Sequence, residues 1–299
     1  MANILDKLAK GRIFFDGAMG TELQKRGLNQ DPAILNLSHG DVITDIHHEY
    51  LLAGADILTA NTFGAYSHKH NNFADMIKNA MDYGQTALSQ YNRKFDNRAP
   101  GKWLALDLGP TGLMLEPYGD TTHEECYKIY EDTVSLGAEY GADLILIETM
   151  MDPAELELAV TAAKKTGLPV FATMSFNQNG RTMMGTSLSD MAELLESYKA
   201  DAIGMNCGFG PDAYVPLANE LAGITNLPII VQPNAGMPLP AQPDPDRPGE
   251  FLPASYSLQA EEFARITASI NAAILGGCCG TSPAHIAALI QQVSPAATS

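Results

Sequence analysis

The residues of this sequence most able to do chemistry are four cysteines, two of which are adjacent. They are Cys126, Cys207 and the neighbouring pair Cys278 and Cys279. Adjacent cysteines rarely bond to each other, and a chain of 299 residues has enough core to fold without disulfides. Metal binding or catalysis is therefore the expected use. Among metals, Zn²⁺ favours thiolate ligands in a tetrahedral arrangement.

Glycines surround the cysteine pair, in the run Gly276-Gly277-Cys278-Cys279-Gly280. Neighbouring side chains of a regular strand point to opposite faces, so the glycines are expected to let the backbone twist until both sulfurs face one ion. With Cys207 as a third ligand, one tetrahedral position stays open, as in catalytic zinc sites. A substrate thiol would fill it and be held as the thiolate. The alternative is three buried structural cysteines.

Cys126 could in principle close the metal site as a fourth ligand. It lies early in a predicted helix, beside Glu124, Glu125 and Tyr127. We therefore expect a surface or packing cysteine, and we expect His123 to be a residue at the helix start.

Two acidic residues end apolar runs: Asp16 and Glu148. A buried carboxylate is costly unless it is paired with a cation. A substrate ammonium group would supply that cation, and a salt bridge to a nearby Lys or Arg is the alternative.

Eight short runs rich in Val, Ile, Leu and Phe must position these residues. They are 13–15, 57–63, 103–108, 144–148, 170–176, 202–206, 229–232 and 272–275. Fully buried parallel strands have this composition. Eight of them, alternating with helices, predict a (β/α)8 TIM barrel forming a single domain over residues 1–299. A doubly wound sheet is the alternative, but residues 16–20 lack its phosphate-binding glycine pattern.

Helices are predicted between the strands. They cover 41–53, 73–93, 122–140, 153–166, 187–198, 214–222, 257–269 and 283–292. Candidate N-caps are Asp41, Asp152 before a proline, and Thr122 with Glu125 in a capping-box spacing. Three glycines follow predicted helix ends and are expected to be left-handed: Gly54, Gly141 and Gly167.

Polar and glycine residues follow the carboxyl ends of seven strands. They are 16–17, 61–64, 107, 148–149, 206–208, 234 and 276–280. Barrel enzymes carry their sites at this face, so we expect these residues to meet there. Residues 238–253, rich in proline and aspartate, lie in the seventh connection and should form part of the functional rim.

Charge and hydropathy exclude several classes. The net charge is −17, which disfavours nucleic acid and anionic membranes as partners. No apolar run is long enough to span a membrane, and residues 1–10 lack a secretory signal. A cytoplasmic protein is expected.

Four motifs together resemble the homocysteine S-methyltransferase family. They are residues 16–21, 61–64, 206–208 and 276–283, in order within a match from about residue 12 to residue 293. The resemblance implies a zinc-binding barrel, with Zn²⁺ held by Cys207, Cys278 and Cys279 and the sulfur of homocysteine in the open position. The thiolate would attack an activated methyl carbon in line and leave as methionine.

The resemblance also implies the remaining substrate contacts. The amino group of homocysteine would meet Glu148 and Asp16. Its carboxylate would meet the backbone of residues 17–19, which are Gly17, Ala18 and Met19. Further expected substrate-binding residues are Thr62 and Asn206, with Asn234 near or on zinc when substrate is absent.

Within the family, the sequence is most similar to the cobalamin-dependent methionine synthase branch, through residues 19–20, 61–64, 180–182 and 233–236. This similarity implies a methylcorrinoid donor, methylcobalamin or a corrinoid protein. We expect no folate or corrinoid domain in this chain, so a separate protein would present the donor.

Alternatives to this donor stay open. Betaine or S-methylmethionine could serve, although animal betaine enzymes carry an aromatic residue where this chain has Gly64. Some short bacterial relatives are nevertheless assigned to betaine. A non-catalytic thiol- or zinc-binding subunit of a corrinoid complex is the alternative of another class. Homo-oligomer formation is a further option.

Overall fold

Eight parallel strands form the centre of the computed structural model, which describes residues 3–95, 101–240, 242, 243, 252 and 254–293. The strands are β1 (Ile13–Phe14), β2 (Ile57–Thr59), β3 (Trp103–Leu108), β4 (Leu144–Met150), β5 (Val170–Met174), β6 (Ala202–Asn206), β7 (Ile229–Gln232) and β8 (Ile274–Leu275). Their order is β1-β8-β7-β6-β5-β4-β3-β2, and a parallel bridge between Phe15 and Ile57 joins the two ends. The predicted (β/α)8 barrel is confirmed.

Helices surround the strands. They are α1 (Ile4–Leu8), α2 (Met19–Lys25), α3 (Pro32–Leu35), α4 (Gly40–Leu52), α5 (Phe73–Lys94), α6 (His123–Glu139), α7 (Pro153–Lys164), α8 (Leu188–Ser197), α9 (Pro211–Ala222), α10 (Ala260–Thr267) and α11 (Pro283–Val293). Within the described residues, none is long and apolar enough to cross a membrane.

Two apolar clusters divide the core. The larger lies between strands and helices, and the smaller fills the inside of the barrel with side chains such as Phe15, Ala105, Leu146 and Phe171. Ile4 of α1 belongs to the inner cluster, so this short helix closes the amino-terminal end of the barrel. The open end of the barrel is the carboxyl-terminal mouth.

Strand alternation makes the uppermost inner layer polar. Side chains alternate between the two faces of a strand, and the inner cluster holds Leu144 and Leu146 of β4. The same parity carries Glu148 inward. By this rule Asp107 on β3 and Asn206 on β6 also point inward, with further inner-layer polar residues on β2, β5 and β7, namely Thr59, Thr173 and Gln232. The mouth therefore opens onto a polar floor.

Most predicted elements match the structure. β3, β6 and β7 have the predicted bounds, whereas β2 ends at Thr59 instead of reaching residue 63. The Thr122–Glu125 capping box and the Asp152 cap are present. The three predicted helix-ending glycines are left-handed, with φ of 105°, 84° and 75° in chain order.

One predicted cap is wrong. Helix α4 begins at Gly40, so Asp41 lies inside the first turn and His39 takes the N-cap position without a side-chain bond. An ideal Cβ at Gly40 would lie 2.4 Å from the Tyr83 ring, so the helix start packs closely against α5. The negative charge of Asp41 still favours the positive end of the helix.

Much of the predicted rim segment 238–253 lies outside the described residues. At its start, Pro238 forms an antiparallel bridge with Tyr256, which places that tyrosine over the mouth.

Candidate metal centre and substrate site

The three rim cysteines converge. Their Sγ atoms all lie within 4.8 Å of one another, and those of Cys207 and Cys279 are 4.0 Å apart. Tetrahedral zinc with bonds of about 2.3 Å to sulfur places its sulfurs about 3.8 Å apart. Cys207, Cys278 and Cys279 therefore form a cluster able to hold one metal ion, as their spacing in the sequence predicts.

A strained backbone presents Cys207. Its φ is 61°, in the left-handed region that residues with a side chain seldom adopt. Two bonds hold it there: its N–H donates to the Gln232 carbonyl at 3.1 Å, and the Tyr214 hydroxyl donates to its own carbonyl. Strain of this kind persists where surrounding contacts determine the conformation, and it is common at functional sites.

The left-handed turn of the backbone follows the cysteine pair. Gly280 is left-handed, with φ of 81°, while Gly276 and Gly277 are not. The latter two are required for space, because an ideal Cβ would lie 2.7 Å from Phe15 Cβ or 2.4 Å from Thr281 Oγ1, respectively. The glycines therefore have two roles, close packing before the cysteines and a turn after them.

Hydrogen bonding within the cluster separates the three thiol pKa values. The Cys278 and Cys279 sulfhydryls donate to the Cys207 sulfur, which lowers the pKa of Cys207 to about 3. The same contacts raise the pKa of Cys278. The Tyr256 hydroxyl donates to Cys279, a contact that opposes the rise in the pKa of that cysteine. In the metal-free cluster these contacts thus stabilise the thiolate of Cys207, the form of cysteine that binds metals.

Asn234 lies beside the cluster. It donates to the Cys207 sulfur, and this bond contributes to the lowered pKa of Cys207. Its own Oδ1 is buried and has no partner among the described residues. An unpartnered oxygen next to three sulfurs fits the predicted place of Asn234 near a metal.

Asp16 and Glu148 lie in the same mouth. Asp16 accepts from Thr59 N and Oγ1 at 2.8 and 2.7 Å, yet burial still raises its pKa to about 7. Burial also raises the pKa of Glu148 to about 8, with further contributions from the nearby charges of Cys207 and Asp16. Among the described ion pairs, neither acid meets a Lys, Arg or His.

Asn206 links the acids to the cysteines. Its Nδ2 donates to Glu148 Oε2 at 2.9 Å and lies 3.9 Å from Cys278 Sγ. Its Oδ1 accepts from Thr149 N and Thr173 Oγ1, both at 2.7 Å. Asn206 is fully buried, and its hydrogen bonds join it to Glu148 and Cys278. Its predicted contact with substrate stays a prediction.

The other residues predicted to bind substrate, Thr62 and residues 17–19, make hydrogen bonds within the protein. Thr62 is buried, and its hydroxyl donates to the Asp107 carbonyl and accepts from the Asp107 N–H. Ala18 N donates to Thr281 Oγ1 at 3.2 Å, in the turn that runs from Gly17 to Met19 at the start of α2. A role of these residues in substrate binding stays a prediction.

Cys126 is buried in α6 and lies outside the metal cluster. Burial raises its pKa to about 12, as expected of a packing cysteine.

Two inner-layer residues were given no role in the site from the sequence: Gln232, which was not considered, and Asp107, which was expected only to lie at this face. Each has a buried side-chain oxygen without a partner in the described structure. The signal was strand alternation, because Asp107 has the parity of Trp103 and Ala105, which face inward.

Residues 13–293 match the family model of homocysteine S-methyltransferase. The chain belongs to the homocysteine S-methyltransferase family. The resemblance found in the motifs is confirmed, and with it the expected enzyme class, an S-methyltransferase.

Sequence relatives include two mycobacterial methionine synthases. The protein from Mycobacterium tuberculosis is 30% identical over 300 residues, covering 95% of this chain, and that from Mycobacterium leprae is 29% identical over 304 residues. The chain spans about a quarter of the length of these relatives, 25% and 24% respectively.

Solved structures of similar fold include the homocysteine methyltransferase MmuM from Escherichia coli. Its apo form superposes with a TM-score of 0.77 at 25% identity, covering 97% of this chain and 100% of MmuM. Its metallated form gives a TM-score of 0.78 at 23% identity, covering 96% and 99%. The second likeness concerns the fold alone.

Proposed function

We propose that this chain transfers a methyl group to the thiol of homocysteine, giving methionine, with Zn²⁺ at Cys207, Cys278 and Cys279. The observation that carries the proposal is the position of three converging sulfurs in one barrel mouth with buried Asp16 and half-buried Glu148, neither of which has a described ion pair. This arrangement suits a substrate with a thiol at one end and an ammonium group at the other.

The donor set fits zinc. Three thiolates at near-tetrahedral spacing leave one position for a further ligand. When bound, zinc would lower the pKa of the substrate thiol and hold it as the nucleophilic thiolate. The unpartnered Asn234 Oδ1 would lie near that position before substrate arrives.

The protein's own groups would orient the amino acid. Glu148 and Asp16 bind the ammonium group, while Asn206 keeps Glu148 in place. The backbone turn of residues 17–19 would receive the carboxylate, although Ala18 N already donates to Thr281, so its neighbours must supply the bond. Holding the thiol in the mouth brings it to the methyl donor in a fixed direction.

For the donor we propose a methylcorrinoid, methylcobalamin or a separate corrinoid protein, presented at the open mouth. The likeness to methionine synthases supports this choice. The mouth loops also expose large apolar side chains suited to a bulky donor, including Met114, Tyr118, Met183 and Met184.

Betaine is less well supported by the mouth itself. Gly64 is left-handed and offers no aromatic face, and an ideal Cβ there would lie 4.0 Å from Lys69 Nζ. A lysine ammonium at this point repels a quaternary ammonium group and gives it no ring to stack on.

The first experiment mixes zinc-loaded protein, homocysteine and methylcobalamin and follows the corrinoid spectrum. Demethylation with formation of methionine supports both acceptor and donor. No change, with zinc confirmed by elemental analysis, refutes the free corrinoid as donor; betaine, S-methylmethionine and a methylated corrinoid protein are then assayed in turn. Turnover with none of them would leave only the role of a non-catalytic thiol-binding subunit.

A matched pair of variants tests the metal centre. Cys207→Ser should lose zinc and activity together while the barrel stays folded. Cys126→Ala is the control, because it removes a buried cysteine outside the cluster and should retain one zinc per chain. Retained activity in a zinc-free Cys207→Ser protein would refute the proposed chemistry.

A cytoplasmic location and homo-oligomer formation stay predictions of the sequence. Size-exclusion chromatography with light scattering measures the oligomeric state directly.

A further inference from the structure

Asp107 has a buried carboxylate oxygen without a hydrogen-bond partner. The residue is 4% exposed, and its Oδ1 meets no donor among the described residues. Its backbone, in contrast, is held firmly: the N–H donates to Thr62 Oγ1 at 2.9 Å, and the carbonyl accepts from the same hydroxyl at 2.8 Å. The backbone N–H of Leu108 also donates to the Asp107 carboxyl group. The structure therefore fixes the position of Asp107 and leaves its Oδ1 available for a ligand.

The carboxyl group of Asp107 faces the two acids of the mouth. On the barrel wall Asp107 pairs in register with Leu146, two residues before Glu148, and strand alternation turns both acids inward. Burial raises the pKa of Asp107, and the charges of Glu148 and then Asp16 raise it further. Three carboxyl groups therefore border one region beneath the thiol cluster.

These three acids differ in how far the protein satisfies them. Asp16 receives two hydrogen bonds from Thr59, and Glu148 receives one from Asn206. Asp107 receives none at its side-chain Oδ1, and none of the three appears in a described ion pair. When ionised, acids in this environment are stabilised by a donor that also carries positive charge.

A primary ammonium group meets that requirement. It carries one positive charge and three N–H donors, and it has no acceptor that a carboxylate would repel. A hydroxyl or a neutral amide can donate but cannot offset the charge. The arrangement of three acids around one region therefore suits a ligand with a free amine better than a ligand whose amine is acylated or missing.

We propose that Asp107 is a specificity-determining residue, which binds the substrate ammonium group together with Glu148 and Asp16 and so selects thiols that carry a free amine. This inference rests on the proposed function, in which the substrate is an amino-acid thiol. Asp107 supplies the acceptor for the third N–H, which Glu148 and Asp16 leave open.

The test compares homocysteine with 4-sulfanylbutanoate, which keeps the thiol and the carboxylate and lacks the amine. In Asp107→Asn, kcat/KM for homocysteine should fall about 10- to 100-fold, mainly through KM, because one member of a buried charge pair is removed. The value for 4-sulfanylbutanoate should stay within about 2-fold, since that ligand makes no such pair. Asp120→Asn is the control, because it removes an exposed charge on the same mouth loop.

Binding calorimetry on the zinc-loaded protein gives a readout independent of the methyl donor. Asp107→Asn should weaken binding of homocysteine by a similar factor and leave binding of 4-sulfanylbutanoate unchanged. Asp107→Ser provides a second variant if the asparagine protein is poorly folded. Equal losses for both ligands would show a structural role, and no loss for either would show that Asp107 does not contact the amine; each result overturns the inference.

The same measurements separate this inference from the proposed function. If no donor supports turnover yet the wild type binds homocysteine more tightly than 4-sulfanylbutanoate, and Asp107→Asn removes that preference, the role of Asp107 stands while methyl transfer fails. If the wild type turns over homocysteine and the variant keeps its preference for it, methyl transfer stands while the role of Asp107 fails.

Discussion

Replacing Asn206 with alanine should destabilise the polar inner layer at the mouth and cause a large loss of activity. The Asn206 side chain takes part in four close hydrogen bonds, with Thr149 N, Thr149 Oγ1, Thr173 Oγ1 and Glu148 Oε2, at 2.7 to 2.9 Å. Each such bond contributes roughly 1 kcal/mol net. Since the Thr149 amide and the Thr173 hydroxyl would lose their acceptor, we expect a loss of about 4 kcal/mol in the free energy of unfolding.

Backbone strain adds to this effect. Thr149 has φ of 59°, and the bond from its amide to Asn206 is part of what holds it there. Without that bond the residue can relax towards an ordinary conformation, which moves the adjoining Glu148. Activity should therefore fall further than the folded fraction does, because the acid leaves its position.

Urea unfolding of metal-free, reduced protein, followed by circular dichroism, measures the change in stability. Thr173→Val is the matched control, which removes one of the four bonds and should cost about 1 kcal/mol. The double variant should cost little more than Asn206→Ala alone, since both changes break the same bond. A loss below about 1 kcal/mol in Asn206→Ala would show that the network does not stabilise the floor.

Three further predictions follow from other parts of the site. In the metal-free protein, Glu148 has a pKa of about 8, so the folded chain keeps a proton that the unfolded chain releases above about pH 4.5. The free energy of unfolding should therefore fall as pH rises between these values, and it should fall less steeply in Glu148→Gln. Equal slopes for the two proteins in urea unfolding at several pH values would contradict this. Gly204→Ala should lower the free energy of unfolding by roughly 3 kcal/mol or more, because the new Cβ would lie 1.9 Å from the Ile230 carbonyl oxygen. Near-wild-type stability in thermal unfolding would mean that β6 and β7 can move apart at little cost. Tyr256→Phe should lower zinc affinity about 10-fold while the fold stays intact, because the change removes the hydrogen bond to Cys279. Unchanged affinity in chelator competition would show that this bond does not support the metal site.

The fold could be predicted because its strands are buried on both faces. The runs 144–148 and 229–232 are apolar up to their last residue, so composition alone locates them. β2 is shorter than its apolar run because the chain turns away at residues 60–62, where Thr62 bonds to the backbone of Asp107. That contact joins residues 45 positions apart and leaves no trace in the local sequence.

The short helices α1 to α3 illustrate a second limit. They have 5, 7 and 4 residues, which is too few for helical periodicity to be recognised. Tertiary contacts stabilise them instead, as the inward packing of Ile4 shows.

The site was predictable where residue type decides the chemistry and less so where geometry does. Three cysteines among glycines indicate a metal whatever their exact positions. The side chains of Glu148 and Asp107 both point inward near the carboxyl ends of their strands, yet no local pattern shows which acid receives a side-chain donor from another strand. That difference depends on Asn206, which lies on β6 and reaches Glu148 but not Asp107.

Two of the left-handed non-glycine residues, Thr149 and Cys207, lie at the mouth next to these contacts. Thr149 follows Glu148, and Cys207 follows Asn206, so one strained residue adjoins the acid proposed to bind the amine and the other carries a thiol proposed to bind zinc. The Asn206 side chain bonds to Thr149, and its backbone leads directly into Cys207. Asn206 therefore links the end of β4 to the end of β6. Because the sulfur and the amine of homocysteine are separated by a short chain of carbon atoms, a site that binds both must keep its two subsites at a constant distance, and Asn206 is the residue placed to do so.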